Sequence, residues 1–391
     1  MDKLNVLVFV SYYYPGGKGG GPLRSISNMV ALLGSEFDFS VVTRDRDAGD
    51  KKSYSGISVG AWNDVRGCKV FYLPSGIVFF TKLLGLIFSS RWNVLYLNSF
   101  FDLRMTLWGL LAARFLGRES KVLLAPRGEF SEGAMSFKTA KKRLYIKTVK
   151  SLGLLRKTIF HASTTAEADE IERVLGVDRG RIRIAMNLTM PPMASSDVRE
   201  AQVDGPLKLV FLSRLARKKN LDFVLRSLAS VQSTASLDVY GVFEEDSYSN
   251  ECAELVARLP ASIKVNFCGY VEPDDVGNVL AQYDLFYFPT LGENYGHVIA
   301  EALAVGTPVL LSDRTPWTGL ETDGLGWVCP LEAPQEFVQV LNGFGSVPAG
   351  SGYRNRALVQ ERARKRISSD LHIQANREVF LSFQQGARGR S

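Results

Sequence analysis

Histidine and cysteine are scarce in this chain: three histidines (His161, His297, His372) and four cysteines (Cys68, Cys252, Cys268, Cys329) among 391 residues. The histidines are far apart and no Cys-x-x-Cys occurs, which argues against a zinc site of mixed His/Cys ligation and against a small disulfide scaffold. Dispersed thiols in a chain of this size point to a reducing compartment. Long apolar runs are missing too. The longest, 76–88, is broken by Lys82 and falls short of the ~20 residues that cross a bilayer. The opening MDKLNVLVFVS is too short for a leader with its cleavage site and reads as a buried strand over 4–11. Neither a dinucleotide-spaced Gly-x-Gly-x-x-Gly nor a Gly-Lys-Ser/Thr is present. With 46% hydrophobic and 22% charged residues, intrinsic disorder is excluded.

What is present is an uneven charge. Residues 1–195 carry 28 Lys and Arg against 16 Asp and Glu, whereas the remainder carries 19 against 24. A basic half joined to an acidic half implies two different partners, the basic one facing something anionic. Short apolar runs alternate with helix-length segments. Strands are expected at 4–11, 37–43, 69–73, 93–97, 121–125, 158–163 and 181–185, with helices at 22–33, 103–116, 138–151 and 166–175. Alternation of this kind predicts a parallel sheet covered on both faces. A Pro/Ser/Gly-rich break at 190–206 reads as a linker. The pattern then restarts, with strands at 207–213, 237–241, 264–269, 285–288 and 308–312 and helices at 221–231, 249–259, 274–282 and 295–305. The tail from 354 is helical in pattern and expected to fray in its last eight residues. The expected fold class is thus α/β, with two Rossmann-like domains. Their strand ends would face a cleft, where ligands of such folds bind.

Three segments carry chemistry. The densest is 289–309, PTLGENYGHVIAEALAVGTPV. A strand ends at Pro and Gly, and Glu293 stands just before a helix that carries Glu301 two turns on. At 1.5 Å per residue the two carboxylates lie roughly 10–12 Å apart, too far to share a proton but suited to reading two rings of one ligand. Gly292 and Gly296 let backbone approach a ligand, and the helix N-terminus favours a phosphate. The second segment, LVFLSRLARKKN at 209–220, sets Arg214 and Lys219 after a buried strand, a fork and a point charge able to hold a diphosphate, with Lys218 as competitor for the second role. The third, YPGGKGGGPLRS at 14–25, is a glycine loop able to cradle an anion, with Pro22 at a first helical position.

Glu-x7-Glu, Arg-x4-Lys and the glycine loop stand in one order along the chain, and together they resemble the retaining glycosyltransferases of family 4, in particular the bacterial enzymes of lipopolysaccharide, capsule and exopolysaccharide synthesis. The resemblance implies the GT-B fold. An N-terminal acceptor domain would span 1–195, a C-terminal nucleotide-sugar donor domain 206–365, and a final helix with its tail, 366–391, would cross back to the first domain. It implies a UDP- or GDP-sugar donor and no metal, so that no cofactor is expected. Arg214, Lys219 and Glu293 would be catalytic: the cations on the diphosphate, the acid on donor-sugar hydroxyls. Glu301 would accept from the ribose. Gly292, Asn294, Tyr295, Gly296 and Tyr270 would line the donor pocket, with Gly20 and Gly21 closing over it. On the acceptor side stand Arg127, Arg24 and His161.

Two places depart from the family pattern. Where many relatives carry a histidine after the fifth strand, this chain reads Pro126-Arg127-Gly128, and where Pro-Asn-Gly often ends the first domain it reads Met186-Asn187-Leu188. His161, alone on an apolar strand, also fits a core histidine. Asp45-Arg46-Asp47 spells the metal–nucleotide signature of the other large glycosyltransferase fold but reads as a polar loop. Residues 138–157 hold eight basic residues without an acid, with apolar positions at near-helical spacing. This is a basic amphipathic helix suited to an anionic membrane. The expected location is the cytoplasm, with a peripheral seat on the cytoplasmic membrane face. No reading helix for nucleic acid is seen. The rival readings are a nucleotide-sugar epimerase on the same fold, a nicotinamide oxidoreductase, and a sugar-nucleotide-binding protein without activity.

Overall fold

The computed structural model describes residues 3–17, 19–135, 139–190, 205–344, 352–367 and 370–388. Two compact units result: Met1–Met190 with Asp370–Ser391, and Pro191–Ser369. Most of the linker expected at 190–206, and Lys138, lie outside the described residues.

In unit 1 the strands are β1 (Leu4–Phe9), β2 (Phe37–Arg44), β3 (Trp62–Val65), β4 (Cys68–Leu73), β5 (Val94–Asn98), β6 (Val122–Ala125), β7 (Ile159–Ala162) and β8 (Ile182–Ile184). They form one sheet in the order β3-β4-β2-β1-β5-β6-β7-β8. Only β3 is antiparallel to its neighbour. The helices are α1 (Gly20–Leu33), α2 (Val78–Ser89), α3 (Trp108–Phe115), α4 (Glu132–Met135), α5 (Thr139–Ser151) and α6 (Thr165–Leu175). Strand periodicity explains the layering. In β1, Val6 and Val8 join a core with Leu23 and Ile26 of α1, while Leu7 and Phe9 join the opposite core, with Leu83 of α2, Leu110 of α3, Val149 of α5 and Ile171 of α6. A sheet buried on both faces needs continuous apolar strands, as here. Thr164 starts α6 by accepting from the backbone N–H of Glu167 at 3.1 Å, and left-handed Gly176 ends it.

Unit 2 has β9 (Leu207–Leu212), β10 (Ala235–Tyr240), β11 (Ile263–Gly269), β12 (Leu285–Phe288), β13 (Val309–Ser312) and β14 (Gly326–Cys329). They form an all-parallel sheet in the order β11-β10-β9-β12-β13-β14. Its helices are α7 (Leu221–Leu228), α8 (Asp246–Ala257), α9 (Val276–Leu280), α10 (His297–Ala304), α11 (Leu320–Asp323), α12 (Pro334–Phe344) and α13 (Arg356–Ile367). The last helix, α14 (Asp370–Arg388), returns to unit 1. Phe380 stands 5.3 Å from Phe37, 5.6 Å from Phe39 and 5.7 Å from Tyr96, ring centre to ring centre, and the Asn376 amide donates to the carbonyl of Met186. The helix runs on to Arg388, further than the fraying expected of the tail.

Several local expectations change. Gly20 and Gly21 open α1 instead of lying in the glycine loop, because the left-handed φ of +59° at Gly20 turns the chain straight into the helix. The helix after β12 starts at His297, not 295: Gly296 is left-handed (φ +80°) and holds Tyr295 out of the turn. The helix of 103–116 begins as a wider turn over Leu103–Leu107, capped by Asp102, which accepts from the N–H groups of Arg104 and Met105. The apolar stretch 76–88 supplies α2, which lacks the polar face by which a surface helix is ordinarily recognised.

Candidate functional site

In unit 2 the predicted site residues gather at the carboxyl edge of the parallel sheet, where such sheets place their ligands. After β9 a short 3₁₀ turn, Arg217–Lys219, ends at Asn220, which is left-handed at φ +64°. The Asn220 amide donates to the carbonyl of Pro289 at 2.9 Å, and the Lys218 carbonyl accepts from Leu291 N–H at 2.9 Å and Thr290 Oγ1 at 3.1 Å. The loops after β9 and β12 are thereby laced together. That lacing brings Lys219 and Glu293 into an ion pair, both largely buried, with the ammonium 5.3 Å above the ring of Phe288. Glu293 N–H donates to the carbonyl of Arg314 after β13, fixing the loop from its other side. Lys218, the competing cation, instead runs beside Gly292: a Cβ there would stand 3.5 Å from its Cε.

Asn294, Tyr295 and Gly296 follow in the same loop. Tyr295 is buried against His297 and Trp317, and Trp317 Nε1 donates to its carbonyl at 2.5 Å. A side chain at Gly296 would be strained by its left-handed φ and would push Ile299 Cδ1, 2.6 Å from the Cβ position, aside. Glu301 is half-buried on α10. Arg214 leaves the end of β9 with its side chain 65% exposed and pairs with Glu244, beyond β10, instead of with an acid of the β12 loop. Tyr270 stands after β11, two strands from β9, and is 45% exposed. The edge therefore joins Lys219, Glu293 and the glycine-rich β12 loop closely, and keeps Arg214 and Tyr270 as exposed flanks.

Unit 1 concentrates its polar groups at the corresponding edge. Arg127, after β6, has a left-handed φ of +59° and donates to Asn98 Oδ1 (Nε at 3.1 Å, Nη2 at 2.8 Å), to Tyr96 Oη at 2.7 Å and to Asn187 Oδ1. Ser99, after β5, is also left-handed at φ 111° and donates through Oγ to Glu129. Glu129 further accepts from the N–H groups of Phe100 and Phe101, and burial pushes its carboxyl above the usual range. Strained backbone at two adjacent strand ends is the kind of geometry that clusters at functional sites.

His161 is a core residue, and the direct acceptor contact expected of it is corrected. It is 2% exposed and both ring nitrogens are engaged. The Ala185 carbonyl can only accept, so Nε2 carries the proton (2.9 Å) and Nδ1 accepts from Tyr96 Oη (2.6 Å). Burial first, and the Arg127 charge second, depress its pKa to about 3. It stands two hydrogen bonds behind Arg127, linked to it through Tyr96 Oη. Arg24 is half-buried on α1.

Asp45 and Asp47 serve the loop itself. Asp45 binds Arg46 and Ser53, while Asp47 accepts from Tyr54 Oη at 2.9 Å and from Gly17 N–H at 3.2 Å, tying down the glycine loop. Among the described residues no group of three or more His, Cys, Asp or Glu is placed to hold a metal, and all four cysteines are free thiols. On α5, Arg143, Lys147 and Lys150 rim an open recess of about 640 Å³ whose apolar lining includes Ile146 and Val174. No described helix is long and apolar enough to cross a membrane.

Comparison with known proteins sharpens this picture. Residues 195–365, which carry the Lys219–Glu293 pair, match the model of the glycosyl transferases group 1. The chain is 29% identical over 184 residues to a D-inositol 3-phosphate glycosyltransferase of Rhodococcus opacus (strain B4); the match covers 42% of this chain and 41% of that protein. The chain thus spans about two-fifths of the length of that curated relative. Among solved structures it resembles Anabaena HepE in complex with UDP-glucose (TM-score 0.70, 15% identity, 98% of this chain and 100% of that one). It also resembles WaaG, a glycosyltransferase involved in lipopolysaccharide biosynthesis (TM-score 0.65, 14% identity, 95% and 98%). These likenesses establish the fold, two parallel-sheet Rossmann-like units as in solved GT-B glycosyltransferases. Within that fold, the likeness to the glycosyl transferases group 1 is confined to residues 195–365, a little under half of the chain.

Proposed function

We propose that this chain is a retaining glycosyltransferase that moves a sugar from a nucleotide-sugar donor, of UDP or GDP type, to a hydroxyl of a lipid-linked glycan in cell-surface polysaccharide synthesis. The observation that carries the reading is the Lys219–Glu293 pair at the carboxyl ends of β9 and β12, inside the segment that matches group 1 glycosyl transferases. A diphosphate entering there meets an ammonium already in place, and Arg214 at the same strand end adds a second, exposed cation. The donor sugar falls to Glu293 and the β12 loop, and the ribose to Glu301. The likeness of residues 195–365 to group 1 glycosyl transferases favours transfer over epimerisation or hydride chemistry.

In the reaction proposed, the acceptor oxygen forms a bond to the anomeric carbon on the face from which the diphosphate leaves. The bond from that carbon to the phosphate oxygen breaks, and the acceptor proton passes to the departing phosphate. Fixed positive charge where negative charge develops lowers the barrier. Two side-chain cations then serve where other enzymes use a divalent metal. On the acceptor side Arg127, held by Asn98, Tyr96 and Asn187, gives a rigid wall, and the basic α5 docks the protein on an anionic membrane at the cytoplasmic face.

A thermal-shift screen with UDP-, GDP-, ADP- and dTDP-sugars tests the reading, since a ligand bound only to the native state raises the melting temperature by mass action. A shift with one nucleotide series, lost in Lys219→Ala, is expected. No shift with any of them would overturn it.

A further inference from the structure

Outside the candidate site, the largest unexplained feature is the outer face of α2 and α3 in unit 1. A helix on a protein surface ordinarily turns charged residues outward. Here the outward positions of α2 are Val78, Thr81, Lys82, Gly85, Phe88 and Ser89, with a single charge. Just before the helix, Ile77 is 82% exposed. Next to it, Leu103, Trp108 and Phe115 are exposed on the wide turn and α3, Phe115 again at 82%. The two helices run side by side in the same direction and are joined by rings at both ends: Phe80 to Trp108 at 5.3 Å and Phe88 to Phe115 at 5.9 Å. Exposed aromatics paired with each other form an apolar surface, and such surfaces mark interaction sites.

The charges around it are predominantly basic, with Glu119 paired to Arg114. Residues 76–118 contain Lys82, Arg91, Arg104, Arg114 and Arg118, and their one acid is Asp102. Asp102 is turned inward, accepting from Ser11 Oγ at 2.5 Å and Arg44 Nη2 at 2.8 Å. Arg114 reaches Glu119 at 3.4 Å and the carbonyl of Gly153, just past α5, at 3.5 Å, so this surface abuts the end of the basic helix. A second copy of the chain fits poorly: a two-fold contact sets a surface against itself, and here like charges would meet around the rim. An anionic lipid surface meets both demands, apolar side chains entering the acyl boundary and Lys and Arg pairing with headgroups.

We infer that the α2–α3 face, led by Ile77, Trp108 and Phe115, is an insertion surface for an anionic lipid bilayer, with α5 contributing attraction but not insertion. This does not rest on the transferase reading and would hold for any chemistry in unit 2. The test is flotation of the full chain with vesicles of phosphatidylcholine alone and of phosphatidylcholine mixed with phosphatidylglycerol, at low and high salt. Wild type is expected to float with the mixed vesicles and to retain part of that binding at high salt. Ile77→Asp with Phe115→Asp should lower partitioning by about tenfold or more, in keeping with the loss of two inserting side chains. Both side chains project into solvent, and an unchanged melting temperature checks the fold. Quenching of tryptophan by brominated acyl chains, lost in Trp108→Phe, reports insertion directly. The proposal is overturned if the double variant floats like wild type while Lys147→Glu with Lys150→Glu does not. It is equally overturned if wild type ignores the mixed vesicles, or if light scattering shows a lipid-free dimer that Phe115→Asp dissolves.

Discussion

Lys219 and Glu293, 74 residues apart in the chain, neutralise one another across two loops that are themselves stitched together by backbone carbonyls. In the proposed reaction, the ammonium offered to the diphosphate is held against a carboxylate before the donor binds. Removing either partner leaves the other charge without its mate, so the two are coupled. Lys219→Ala is expected to reduce kcat/KM by about 10²-fold or more, the range for one preorganised charge contact. Combining it with Glu293→Gln should cost clearly less than the product of the single effects, and steady-state kinetics on the four proteins of the cycle measures that coupling. Near wild-type turnover in Lys219→Ala and in Arg214→Ala would remove the diphosphate assignment.

His161 makes unit 1 sensitive to acid. Its pKa falls from an ordinary 6.5 to about 3 in the fold, so between those values the unfolded chain takes a proton that the folded chain refuses. Stability contributed by the neutral ring is therefore fully present above pH 6.5 and declines as the pH drops toward 3, at about 1.4 kcal/mol per unit. His161→Gln removes this titration. Its melting temperature should be lower than wild type at pH 8 and should fall less steeply between pH 6.5 and 5; parallel slopes would count against the buried neutral ring.

Gly296 is a backbone requirement of the site loop. Gly296→Ala places a Cβ against Ile299 at a left-handed φ, and a loss of about 1–2 kcal/mol is expected from strain of this kind. Denaturant unfolding should show that loss together with weaker donor binding, because the turn aims both Glu293 and α10.

Phe380 fills the contact between α14 and the sheet of unit 1. Phe380→Ala should destabilise the protein by about 3–5 kcal/mol, the usual effect of emptying a buried ring. Chemical denaturation monitored by tryptophan fluorescence would show it as a lowered midpoint.

The sequence revealed much of this architecture because buried parallel strands are apolar on both faces: β12 stands at the residues expected of it, and β1 and β9 lie within the expected runs. β3 and β14 escaped notice. One is a short half-exposed edge strand, Trp-Asn-Asp-Val, and the other, Gly-Trp-Val-Cys, is four residues long. Helix α2 escaped because its outer face lacks the charges that make a helical period visible. At the candidate site, Arg214, Lys219 and Glu293 were legible as residue types in a familiar order, but not as partners. That Lys219 pairs with Glu293 while Arg214 turns to Glu244 depends on the lacing of the β9 and β12 loops. The Asn98–Arg127–Asn187 cluster was not legible at all, because its members end β5 and follow β6 and β8, and they meet only when the sheet is assembled.

The return of α14 to unit 1 bears on how the polypeptide is made. On the ribosome, the helix that packs on one face of the first sheet emerges only after the whole of unit 2. Until then Phe37, Phe39 and Tyr96 lack their aromatic cover, whereas the second sheet already has all its strands and helices in hand. The packing of the first sheet can therefore be completed only after α14 has been translated, which puts a long stretch of synthesis between the two parts of unit 1.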